Sequence, residues 1–192
     1  MTCAKDIASS TNWNVSFDQV SRQRETESCS GLERPREERR GRSQQSHIVE
    51  ELNRLMAEET EASLRYFQIR FRLRGIDREA AEMFFDNGLK ETLEHAEAIA
   101  NQIRALGHVP RLHINLSLNG GPMPLAEALT EVLEIEQQAL DAYQDFLPRV
   151  AGDPGLEGFI RKQIEVETEH VQAILDAVRA GSPLKLIDTS DS

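Results

Sequence analysis

The chain has 192 residues, a formal net charge of −11, and 39% hydrophobic but only 5% aromatic residues. That length holds one ordinary domain with chain left over, and a composition rich in Ala, Leu, Glu and Arg favours helices over a β-sandwich. No apolar run approaches the ~18 residues of a membrane span, no secretory apolar region follows Met1, and an acidic body repels nucleic acid while attracting cations. A cytoplasmic protein with no membrane and no nucleic-acid partner is the expectation.

In chain order, residues 1–45 come first. They lack hydrophobic periodicity and are dense in Ser, Arg, Glu and Gln, which predicts a disordered N-terminal tail. Residues 1–43 hold eight basic and seven acidic side chains, whereas the rest of the chain holds 14 basic and 26 acidic ones. Cys3 and Cys29 both fall in this stretch and fit no zinc spacing.

From Ser46 the pattern becomes helical. A first helix is predicted to about residue 73, with Ile48, Leu52, Leu55, Ala62, Tyr66 and Leu73 at spacings of three, four or seven. The sequence "RGID" breaks it, and Asp77 is a natural N-cap for a second helix over about 78–106. A third runs over about 124–149 and stops at "GDPG"; a fourth starts after Pro154 and ends at Gly181, leaving 182–192 as a short C-terminal tail. Short connections make each consecutive pair an antiparallel hairpin.

The connection between the second and third helices is different. "GHVPRLHINLSLNGGPMP" contains three prolines and paired glycines over about 18 residues. Extended at about 3.3 Å per residue it reaches ~60 Å, longer than a 28-residue helix of ~42 Å. It can therefore return along the whole bundle. The expected fold is all-α: a four-helix bundle over 46–181, up-down-down-up with one long crossover, the third helix parallel to the second.

Carboxylates sit on the apolar seams of this bundle. Glu59 lies between Leu55 and Ala62, and Glu136 between Val132 and Leu140. Each is followed seven residues later by a tyrosine, Tyr66 and Tyr143, and the two pairs repeat at an offset of 77. The second and fourth helices carry "TLEHAEAI" at 92–99 and "ETEHVQAI" at 167–174, offset by 75. The chain thus reads as a duplicated helical hairpin. A lone buried carboxylate costs several kcal/mol, more than the roughly 1.5–3 kcal/mol a buried leucine contributes, so several seam glutamates imply a neutralising cation. Two seam glutamates, two histidines and Glu167-x-x-His170 form an oxygen- and nitrogen-rich donor set suited to two hard or borderline metals. Iron fits best; manganese and zinc are the other candidates. Glu134 competes with Glu136 for the third-helix position, but its neighbours at i+4 and i+7, Gln138 and Asp141, are polar.

Residues 48–180 resemble the ferritin-like superfamily, and bacterioferritins within it. "LNRLMAEETEASLRYF" (52–67) is similar to the bacterioferritin first helix, "LEHAEAIANQIRALGHVP" (93–110) to its second helix and turn, and "VETEHVQAIL" to its fourth. The resemblance implies Glu59 and Glu136 as terminal carboxylate ligands, His95 and His170 as one nitrogen ligand per metal, and Glu167 as a bridging carboxylate. It implies a site for two Fe per subunit, ferroxidase activity with dioxygen or peroxide, iron storage or detoxification, and a homo-oligomer.

Three positions depart from the family pattern. Thr92 stands where a second bridging glutamate is expected, with Glu91, one turn before His95, as the candidate replacement. Leu93 occupies the haem-ligating methionine position, so no haem is expected. Only about a dozen residues follow the fourth helix, too few for the fifth helix that closes many cages. Two alternatives stay open: a rubrerythrin-like di-iron oxidase or peroxidase with an external electron donor, and a non-catalytic Dps-like or cage subunit with a degenerate centre. Tyr66 and Tyr143 read as packed with hydrogen-bonded hydroxyls, and His108 and His113 as surface residues.

Overall fold

The computed structural model describes residues 36–75, 78–118 and 120–180, with side chains for 44–75, 81–118 and 120–179. The expected tail up to residue 35, the Asp77 cap and the C-terminal tail from residue 182 lie outside the described residues. Among those described there are four α-helices: α1 (Arg36–Arg72), α2 (Arg78–Ala105), α3 (Leu125–Phe146) and α4 (Pro154–Ala180). A 3₁₀ turn (Leu147–Val150) follows α3, the two-residue strand β1 (Leu73–Arg74) follows α1, and β2 (Met123–Pro124) ends the crossover just before α3.

Helix α1 starts at Arg36, ahead of the boundary expected at about residue 46. The reason is helix propensity without apolar periodicity. "REERRGRSQQ" is built almost entirely from good helix formers, yet it carries no apolar stripe to announce a buried face. The expected all-helical pattern also gains one element, the parallel pairing of Leu73 with Met123 and of Arg74 with Pro124. This pairing puts the end of α1 beside the start of α3.

Residue pairings fix the direction of every helix. Between α1 and α2, Arg70 pairs with Asp86 and Gln45 reaches the Leu106 carbonyl, so these two are antiparallel. Between α1 and α3, Glu59 meets Tyr143 and Glu136 meets Tyr66, again antiparallel. Between α2 and α4, His95 meets Glu167 and Glu91 meets His170. Helices α2 and α3 therefore run the same way, and the bundle is up-down-down-up.

The crossover lies along α1. The Arg111 amide donates to Asn53 Oδ1 (2.6 Å), the Asn115 amide to Glu61 Oε1 (2.9 Å), and Arg72 Nε to the Gly121 carbonyl (2.9 Å). Arg72 also pairs with Glu131 on α3 at 3.1 Å, pinning the far end. His108 and His113 are exposed on this segment, as expected.

The interior is layered. One apolar cluster, with Leu52, Leu55, Ile99, Ile103, Phe146 and Ile160, fills the end holding the α3–α4 turn. A second, with Ile69, Leu73, Phe85, Met123, Val132 and Ile174, fills the opposite end. Between them lies a polar layer: Glu59, Ser63, Thr92, Glu136, Gln163 and Glu167 are all buried. Apolar walls above and below lower the local dielectric and raise the cost of leaving that layer unpaired.

Candidate metal centre

Each helix delivers its polar side chains to this layer from a seam that is otherwise apolar. Glu59 and Glu136 are only 3% and 2% exposed, and Glu167 only 1%. Glu134 is exposed, so of the two α3 candidates Glu136 is the one turned inward. Glu94 is likewise exposed and faces Lys90 at 3.7 Å.

Glu167 is central. Its Oε1 lies 2.9 Å from His95 Nδ1, and its Oε2 lies 3.5 Å from His170 Nδ1. The opposite sides are closed by Glu59 Oε2, 3.8 Å from His95 Nδ1, and Glu136 Oε2, 3.3 Å from His170 Nδ1. Two donor triads result, Glu59–His95–Glu167 and Glu136–Glu167–His170, each with its donor atoms within 4.8 Å of one another. The imidazoles stack with centroids 5.7 Å apart and planes inclined by 12°.

The outer carboxylates are held from behind by crossed tyrosines. Tyr143 on α3 donates to Glu59 Oε1 on α1 at 2.5 Å, and Tyr66 on α1 donates to Glu136 Oε1 on α3. Each tyrosine occupies one carboxylate oxygen and leaves the other facing a histidine. The seven-residue Glu–Tyr spacing therefore serves the opposite helix: antiparallel packing sends each hydroxyl to the other helix's glutamate.

The electrostatics follow from burial and mutual proximity. Burial opposes protonation of both imidazoles, but the facing carboxylates outweigh it, raising His95 to about 10 and His170 to about 11. Burial pushes the Glu136 carboxyl up to about 7 and raises Glu59 as well. Burial would raise Glu167 too, yet the facing imidazoles of His170 and His95 hold it down at about 2. Desolvation and the adjacent carboxylates push both tyrosines well above their ordinary value, so both remain neutral donors.

The donor set fits a bound cation on a specific observation. His95 Nδ1 and both Glu167 oxygens are buried without a hydrogen-bond partner of acceptable geometry, despite the short separation between them. Buried polar atoms are nearly always paired, and a cation resolves all three exceptions at once.

The two halves differ on α2. Thr92, buried at the position matching Glu167, donates its hydroxyl to the Gly88 and Leu89 carbonyls at 2.9 and 3.1 Å. Its proton is committed to its own helix. Glu91 is half exposed and reaches to 3.6 Å from His170 Nε2. Leu93 is 47% exposed on the outer face of α2. One further asymmetry escaped the sequence reading. Gln163, one turn before Glu167, is buried with its Nε2 unpartnered, while the equivalent position on α2 is Gly88. The missed signal was a polar residue at i−4 on a seam already known to carry Glu167.

The sequence profile of the ferritin-like domain matches residues 49–180. The chain belongs to that family. No curated protein matches it in sequence. Among solved structures, a ferritin-like diiron-carboxylate protein from Bacillus anthracis str. Ames is 23% identical with a TM-score of 0.63, over 70% of this chain and 97% of that one. A dodecameric thioferritin from Bacteroides fragilis, described as bacterioferritin-related, is 19% identical with a TM-score of 0.63, over 77% and 92%. A Dps protein from Bacillus brevis is 15% identical with a TM-score of 0.64, over 70% and 96%. At these identities the likeness is one of fold. Among the described residues no helix is long and apolar enough to cross a membrane.

Proposed function

We propose that this protein is a cytoplasmic, homo-oligomeric, bacterioferritin-like ferroxidase that takes up two Fe(II) per subunit and oxidises them with dioxygen or peroxide, storing or detoxifying the ferric product. The observation behind this reading is the pair of donor triads sharing Glu167, whose two oxygens face different histidines. A shared carboxylate keeps two substrate ions adjacent, so that an oxidant can accept electrons from both.

The residues divide the work. Glu59 with His95, and Glu136 with His170, each offer one free oxygen and one nitrogen. Tyr143 and Tyr66 restrict the two outer carboxylates to single orientations. Glu59, Glu136 and Glu167 carry three negative charges against the four positive charges of two divalent ions. Glu91 supplies the fourth charge at the His170 side. The set combines carboxylate and imidazole, which suits iron and also accepts manganese or zinc.

A second reading has one observation in its favour. With the Thr92 hydroxyl tied to backbone carbonyls, α2 offers no buried carboxylate opposite Glu167. A cage subunit that binds metal without turning it over would be built this way.

Aerobic addition of Fe(II) to the metal-free full chain, followed by ferric absorbance and then by iron retained on a sizing column, decides between them. Rapid oxidation of about two irons per chain, and further iron retained in a large assembly, is the expected result. Oxidation no faster than in buffer would overturn the ferroxidase reading, and metal bound without oxidation would favour the second.

A further inference from the structure

Between α1 and α3 the bundle is not closed. A cavity of about 460 Å³ opens there, with Glu59 and Tyr143 among its lining residues. At roughly 30 Å³ per water molecule, that volume admits a hydrated ion with room to spare. Small side chains leave it open. Ala62 on α1 and Ala139 and Ala142 on α3 line the gap, where larger apolar side chains would bring the walls into contact. A dry gap of this size between packed helices would be strongly destabilising, but this one is lined by polar groups and open to solvent.

From these features we infer that the α1–α3 cavity is the inlet through which a divalent cation reaches the Glu59–His95–Glu167 triad. This inference rests on the metal centre proposed above. Glu59 is buried, yet it is among the residues that line the cavity, so an ion inside lies beside the first donor residue. Four further carboxylates line the opening, those of Glu58, Glu61, Asp141 and Asp145, against the guanidinium groups of Arg54 and Arg65. Arg54 is already engaged by Glu51 and Glu58, at 2.9 and 2.5 Å. The balance is acidic and favours cations, and a low-dielectric cleft concentrates such a field. The competing approach passes His170 and Glu91 on the α2–α4 side, where Glu91 stands across His170 Nε2 at 3.6 Å.

The test uses Co(II), which absorbs visible light when bound by nitrogen and oxygen donors and does not consume oxygen. Anaerobic stopped-flow mixing gives the loading rate, and equilibrium titration gives Co(II) bound per chain. Ala139→Leu narrows the cavity without touching a donor. Asp141→Asn with Asp145→Asn lowers the acidity of the opening at two exposed positions. Each variant should load about tenfold more slowly than the unmodified protein, and the second should also lose much of the salt dependence of the rate. Equilibrium capacity should not change. Wild-type rates in both variants would overturn the inlet and send the ion past His170 and Glu91, leaving the centre intact. No Co(II) bound by the unmodified protein would overturn centre and inlet together. Should Ala139→Leu fail to fold, the double variant at the opening decides alone.

Discussion

Tyr143 on α3 donates its hydroxyl to Glu59 on α1, 84 positions away in sequence and 2.5 Å away in space. Tyr66 makes the mirror-image bond to Glu136. Each bond satisfies one oxygen of a carboxylate that has almost no access to water. Tyr143→Phe removes the donor and leaves Glu59 Oε1 buried without a partner, a loss of about 1–3 kcal/mol. Urea denaturation of the metal-free protein should show that decrease, and Tyr66→Phe should show a similar one. A change of a few tenths of a kcal/mol would mean that the hydroxyls pack beside the carboxylates without bonding them.

Gly88 gives a sharper test of the same arrangement. A Cβ at this position would stand 2.3 Å from Tyr66 Cε1, because the ring lies directly against the α2 backbone. On an unencumbered helix Gly→Ala is stabilising by about 1 kcal/mol. Here the ring has nowhere to retreat: it packs against Phe85 with centroids 6.2 Å apart and is bonded to Glu136. Overpacking of about 1–3 kcal/mol should win, so Gly88→Ala lowers the melting temperature of the metal-free protein. A rise would show that Tyr66 has a second low-energy position.

These contacts mark the boundary of what the sequence discloses. Glu136 could be told from Glu134 because burial follows helical periodicity, and the seam through Val132, Leu140 and Tyr143 passes through 136. The crossover was legible from its length and prolines. The crossed tyrosines were not, because the spacing of seven lies within one helix while the bond lies between two; only the relative height of α1 and α3 decides the partner. The alanines lining the cavity were equally silent, since Ala on a seam reads the same whether its neighbour touches it or stands away. The first turns of α1 were missed because propensity alone leaves no periodic trace.

Thr92 lies 3% exposed in the polar layer and is hydrogen-bonded to its own helix. Thr92→Glu adds a fourth carboxylate to a site that already buries three. In the metal-free protein an unpaired charge there costs several kcal/mol. With Zn(II) bound, the same carboxylate faces a cation and becomes a ligand. The expected outcome is a lower melting temperature without metal and a larger rise on adding Zn(II) than in the unmodified protein. Equal shifts in both proteins would place residue 92 outside the reach of the metals.

The histidines set the pH behaviour. Both have folded-state values raised to about 10 and 11, above the ordinary 6.5, so both are charged at pH 7 in the metal-free protein. Their contribution to stability is complete below about 6.5 and is lost as pH rises through their folded values. Glu136, raised to about 7, has the same sign: the folded state favours its protonated form, and stability falls from about 4.5 to 7. Glu167, lowered to about 2, has the opposite sign, contributing above about 4.5 and losing that contribution as pH falls towards 2. The cluster therefore makes the metal-free protein less stable at pH 9 than at pH 5, measured by urea denaturation with a chelator present. Metal binding reverses the slope, because a ligating imidazole must surrender its proton. Zn(II) titrated calorimetrically at pH 7, in buffers of different ionisation enthalpy, should release about two protons per chain from the histidines and a further fraction from Glu136. Release of none would mean that the imidazoles are neutral before metal arrives and that their proximity to the three carboxylates does not hold them charged.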